Sequence, residues 1–179
     1  MTSVSLKPIL VAVDFSDVCK QSLHYASQLA DRLGEQLLIL HVVHETAQQS
    51  GYYRRRDMSG QALPLDYVAE RLLDDFVEEV RSMNDVGNSL EEVETRVVTG
   101  IPGHRILEIA KLYDASMILL GSVDRVGETG ATRRLWTGVG STSRYLLRHC
   151  KIPLLTPEGE VGGEQRRLTA WQTGVATHL

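Results

Sequence analysis

The chain reads as an α/β protein: a single-domain, Rossmann-like open parallel five-stranded sheet with helices on both faces. Three observations predict it. Strand-like and helix-like segments alternate along most of the sequence. The strand-like runs are continuously apolar, as in strands covered on both faces. Strict βαβ alternation then requires a parallel sheet, because each right-handed crossover packs its helix back onto the sheet.

The first strand is Pro8-Ile9-Leu10-Val11-Ala12-Val13, which stops at Asp14-Phe15-Ser16-Asp17. Ser16 or Asp17 can cap the helix that follows. From Val18 to Leu33 the apolar positions Leu23, Ala26, Leu29, Ala30 and Leu33 recur at helical spacing, and Gly34 suits a left-handed helix end. Leu37 to Val43 gives the second strand, Tyr67 to Met83 the second helix, and Val93 to Thr99 the third strand. Pro102 opens a third helix carrying Ile106, Leu107, Ile109, Ala110 and Leu112. Met117 to Leu120 is the fourth strand, Ser141 to His149 the fourth helix, and Ile152 to Leu155 a short fifth strand that Pro153 marks as an edge.

Two segments stand outside this alternation. Residues 44–65 are too long for an ordinary βα connection and read as either a lid or a disordered insertion. The tail, 157–179, is rich in Gly, Glu, Thr and Gln and reads as flexible or as packing on a partner, leaving a domain at 7–156.

Composition narrows the function classes. With 179 residues, 42% apolar and 23% charged, one core is expected. A net charge of −4 argues against nucleic-acid binding, which needs a basic face. Cys19 and Cys150 have no metal-type spacing and read as unpaired thiols of a cytoplasmic protein. No apolar run approaches a membrane span, and the first residues lack the apolar core of a signal peptide. The six histidines form no ligand pair, so no protein-only metal site is expected, and His41 among valines reads as a hydrogen-bonded core residue.

The segment most suggestive of chemistry is Gly127-x2-Gly130-x9-Gly140-Ser141, between the fourth strand and the fourth helix. Glycines let backbone N–H groups approach an anion closely, and the helix start adds partial positive charge. A phosphate seat follows. In an open parallel sheet the ligand lies beyond the carboxyl ends of the strands. Those ends supply Asp14 to Ser16, Val42 to His44, Val98 to Gly100 and Gly121 onward.

The chain resembles the universal stress protein family over about residues 7–156. The resemblance rests on Ile9 through Ser16, Leu38 through Val43, Val98 through Pro102, Met117 through Ser122 and Gly140 through Pro153, in that order. In the ATP-binding branch the phosphate loop is G-x2-G-x9-G-[ST], a spacing met by Gly127, Gly130, Gly140 and Ser141. The family's first loop glycine usually ends the fourth strand, where Gly121 stands here. In that register the second falls on Asp124, and the loop holds an insertion of about six residues. Both registers stay open. Arg125, Arg133 and Arg134 could offset the charge of Asp124.

The resemblance implies a nucleotide site made of Val13, Asp14, Phe15, Ser16, Val42, Val43, Gly100, Gly121, Ser122, Gly127, Gly130, Gly140, Ser141, Thr142 and Ser143. Asp14 resembles the acidic residue beside the adenosine or its metal, and otherwise reads as a helix-capping carboxylate. Val42 and Val43 would wall the adenine, and Gly100 would face ribose or phosphate or simply turn the chain before Pro102. ATP is the implied cofactor, with Mg²⁺ arriving on the nucleotide and Asp14 or Asp124 as its contacts. The implied role is a nucleotide-binding regulatory module of the stress response acting on a protein partner, with a homodimer formed through the fifth-strand edge. The alternative is a dimeric scaffold that binds no ATP. An enzyme, at most a slow ATP hydrolase, comes third, since no Walker lysine, nucleophile elbow or dinucleotide glycine motif is present.

Overall fold

A computed structural model describes residues 7–44, 53, 55–121 and 141–155, with the backbone of 156–157 and 168–171. Strands β1 (Pro8–Val13), β2 (Gln36–Val43), β3 (Glu94–Thr99), β4 (Met117–Leu120), β5 (Leu154–Pro157) and β6 (Leu168–Trp171) form one sheet in the order β3-β2-β1-β4-β5-β6. The first five are parallel, in the order 3-2-1-4-5, and β6 runs antiparallel to β5. Helices α1 (Asp17–Leu33), α2 (Leu65–Arg81), α3 (Pro102–Leu112) and α4 (Ser141–His149) cover the two faces.

Side-chain alternation along the strands divides the core in two. Ile9, Val11, Leu37, Ile39 and Leu119 pack with Leu23, Ala26, Leu73 and Phe76 in the α1–α2 layer. Leu10, Leu38, Leu40, Ile118 and Leu120 pack with Ile106, Ile109 and Leu146 in the α3–α4 layer. Both faces are apolar, which is why the strands read as unbroken apolar runs. Among the described residues no helix is long and apolar enough to cross a membrane.

The junctions follow from local chemistry. Ser16 is the cap of α1, its Oγ accepting from the Cys19 N–H at 3.3 Å, and Gly34 ends the helix at φ 66°. Pro102 occupies the first turn of α3. The α2 helix starts at Leu65, two residues earlier than its apolar spacing indicates, directly after Pro64, and a 3-10 turn at Asn88–Leu90 was not legible.

Part of the long connection between β2 and α2 lies among the described residues. Arg56 and Ala62 form an antiparallel bridge around a turn in which the Asp57 carboxylate accepts from the N–H groups of Ser59 and Gln61, each at 2.9 Å.

The two flanks of the sheet differ. On β3, Glu94 and Arg96 pair at 2.6 Å, and both bond the Tyr113 hydroxyl, so charged side chains stand along that edge. At the other flank the expected free edge of the fifth strand is corrected. β6 pairs with β5 from Leu154↔Trp171 to Pro157↔Leu168, adding a sixth strand from a tail read as flexible or as packing on a partner. A bare row of backbone donors and acceptors is a template for such pairing. Pro153 lies just before β5 rather than within it, and its carbonyl accepts from the Ile118 N–H at 2.9 Å. A proline carbonyl can serve a ladder that its nitrogen cannot.

Candidate functional site

The chain passes from β1 to β2 and β3 on one side, then returns to place β4 on the other side of β1. The crevice at this reversal, beyond the carboxyl ends of β1 and β4, is where a ligand fits an open α/β sheet. A cavity of about 380 Å³ lies there. Its apolar wall is Ala12, Leu40, Val42, Pro102, Ile106 and Leu120, and its polar groups are Asp14, Cys19 and the first turn of α4, Ser141, Thr142 and Ser143. Val13 and Gly121 complete it.

Asp14 is held by the turn that follows β1. Phe15 takes φ 64°, a left-handed conformation that a bulky residue adopts only when its surroundings compensate. Its ring stacks on His41 at a centroid distance of 4.1 Å and meets Phe76 edge-on at 5.6 Å. The turn brings the Ser16 N–H to 3.1 Å from Asp14 Oδ1, and the Cys19 thiol donates to the same oxygen at 3.1 Å. Burial, with the charge of Asp14 second, pushes the Cys19 thiol up to about 12, so it stays protonated and donates.

His41 sits behind this turn, 4% exposed. Its Nδ1 is 2.8 Å from the Val13 carbonyl, which can only accept, so Nδ1 carries the proton and Nε2 accepts from the Tyr53 hydroxyl at 2.7 Å. Burial lowers its pKa, while the Val13 carbonyl and the charge of Asp14 oppose that shift. The residue is a hydrogen-bonded core histidine, as the sequence indicates.

Among the expected site residues, the cavity brings together Val13, Asp14, Val42, Gly121, Ser141, Thr142 and Ser143. Others are placed elsewhere. Val43 follows Val42 on a pleated strand and so points to the opposite face, fully buried with Tyr53, Val68 and Ala69, where it cannot wall a ligand beside Val42. The Phe15 ring also packs on the α1–α2 side, and Ser16 serves as a helix cap. Gly100, at φ 144°, forms the turn before Pro102, its N–H bonded to the Val43 carbonyl at 3.0 Å and the Arg105 stem lying over it. Ser122, Asp124, Gly127, Gly130 and Gly140 lie outside the described residues, as do Arg125, Arg133 and Arg134.

Several cavity residues escaped the sequence reading. Ala12 and Leu40 share a face with Val42 by strand alternation, a signal that was available. Ile106 comes from α3 across the sheet, and Cys19 from the first turn of α1; nothing local to either marks it as part of a site.

An open parallel sheet with a half-polar cavity at its switch point defines a ligand-binding α/β domain. The sequence assigns that domain to a family: residues 5–156 match the model of the universal stress protein family, and the chain belongs to it. It is 27% identical over 153 residues to universal stress protein Sll1388 of Synechocystis, covering 82% of this chain and 94% of that one. Its fold resembles that of a universal stress protein solved in complex with cAMP, with TM-score 0.53 and 19% identity over 84% of this chain and 95% of the other. It also resembles the universal stress protein from Archaeoglobus fulgidus solved in complex with dAMP, with TM-score 0.52 and 19% identity over 86% and 98%.

Proposed function

We propose that this universal stress protein binds an adenine nucleotide, ATP carrying Mg²⁺, in the cavity between β1 and β4, and that occupancy alters a surface read by a protein partner in the stress response. The observation that carries this reading is the chemistry of the cavity walls. Apolar side chains suited to a base line the same cavity as Asp14, while hydroxyls and the amino end of α4 suit an anion. A volume of about 380 Å³ falls within the range of small-ligand sites. That two relatives of the same fold were crystallised with cAMP and dAMP supports an adenine nucleotide. Gly127, Gly130, Gly140 and Ser122 would add backbone donors to the phosphates, and Asp14 or Asp124 would face the metal. Mg²⁺ would neutralise phosphate charge; Asp14, Ser141 and Thr142 would bind and orient.

The unpaired Cys19 and Cys150 support a cytoplasmic setting. A homodimer belongs at the β5–β6 flank, through β6 itself or through β5 once β6 leaves. Calorimetric titration of the full chain with ATP, with and without Mg²⁺, tests the reading. Stoichiometric binding is expected. No heat at millimolar ATP overturns it in favour of a scaffold that works without nucleotide.

A further inference from the structure

We propose that Cys19 is a positioning residue whose thiol holds the Asp14 carboxylate in the orientation in which it meets a ligand. The inference rests on the nucleotide reading of the cavity. Three observations lead to it. Cys19 is 2% exposed yet lines the same cavity as Asp14, and its Sγ lies 3.1 Å from Asp14 Oδ1. The Ser16 N–H reaches that same oxygen at 3.1 Å, so two donors, one from the turn and one from the helix, converge on Asp14 Oδ1. Gly121, at the end of β4, is packed so closely against the sulfur that a Cβ there would overlap it. The thiol is thus wedged between two walls of the cavity with its hydrogen aimed at Asp14. With its hydrogen bonded to Asp14 Oδ1 at 3.1 Å, the thiol serves as a donor to the carboxylate.

Replacing the Cys19 side chain by a methyl removes one of these two donors from Asp14 Oδ1. Cys19→Ala is expected to weaken ATP binding by about tenfold, and Cys19→Ser, which restores an O–H donor, to stay within about threefold of the unaltered chain. In the Asp14→Asn background, Cys19→Ala should change affinity by less than about twofold, because the group it positions is gone. A merely structural role would move both backgrounds alike. The S–H infrared stretch, read in a Cys150→Ala chain, should shift to higher frequency on Asp14→Asn as the charged acceptor is lost. Equal affinity of Cys19→Ala and the unaltered chain, or an unmoved S–H band, overturns the inference while leaving the nucleotide reading intact. Absence of ATP binding to the unaltered chain overturns the nucleotide reading, and the positioning role with it.

Discussion

The hydroxyl of Tyr53 lies 2.7 Å from Nε2 of His41, and so one residue of the β2–α2 connection is tied to the strand ends that hold Asp14. His41 in turn bonds the Val13 carbonyl and supports the Phe15 ring. The connection is therefore anchored through a buried polar chain that ends one residue from the cavity carboxylate.

Tyr53→Phe removes the donor and leaves a buried ring nitrogen without it. A loss of about 1–3 kcal/mol is expected, the cost of an unsatisfied buried acceptor. Urea unfolding measures it. A change below a few tenths would show that the contact does not hold the connection in solution.

The same histidine gives a pH dependence of definite sign. Burial lowers the native pKa of His41 below its ordinary 6.5, so as the pH falls through 6.5 the unfolded chain takes up a proton that the folded chain refuses. The stability that neutral His41 allows is complete above that pH and is lost below it, by at most about 1.4 kcal/mol per pH unit. Urea midpoints between pH 7.5 and 5 should fall for the natural chain and fall less steeply for His41→Gln.

Gly121→Ala introduces a Cβ into the space of the Cys19 sulfur. Overpacking of this kind costs about 1–3 kcal/mol, and here it also displaces a group that bonds Asp14. Thermal unfolding should show the lower stability, and ATP titration a weaker affinity than Gly34→Ala, whose added Cβ meets nothing within 4 Å, so that its cost is left-handed strain far from the cavity.

Ending the chain near Glu158 removes β6 and bares the outer edge of β5. The truncated chain should associate more strongly in light scattering than the full chain, because exposed strand edges recruit other strands. An unchanged mass would separate the tail from any pairing of copies.

How far the fold was legible depends on the kind of signal. Runs such as Ile9 to Val13 and Leu37 to Val43 carry their own information, since burial on both faces demands apolar residues at every position, and the caps Ser16 and Gly34 mark a helix by chemistry local to them. The strand Leu168–Trp171 had no such mark: four residues in a polar tail acquire their structure from β5. The site divides in the same way. Asp14, Val42 and Ser141 to Ser143 follow from strand ends and a helix start, and the burial of Val43 on the opposite face from Val42 was available from strand alternation, whereas the Cys19 bond to Asp14 depends on how the turn after β1 meets α1. The left-handed Phe15 was illegible because its support comes from His41 and Phe76, which are distant in sequence.

The unequal flanks of the sheet set a limit on growth. Glu94, Arg96 and Tyr113 lock charges along β3, where an incoming strand would have to strip water from them, while the opposite flank has already accepted one strand from the tail. A sheet receptive on both sides can propagate without end into a filament. Among the described strands only the β5–β6 flank is open to addition, so the charged β3 edge works against filament growth by strand pairing.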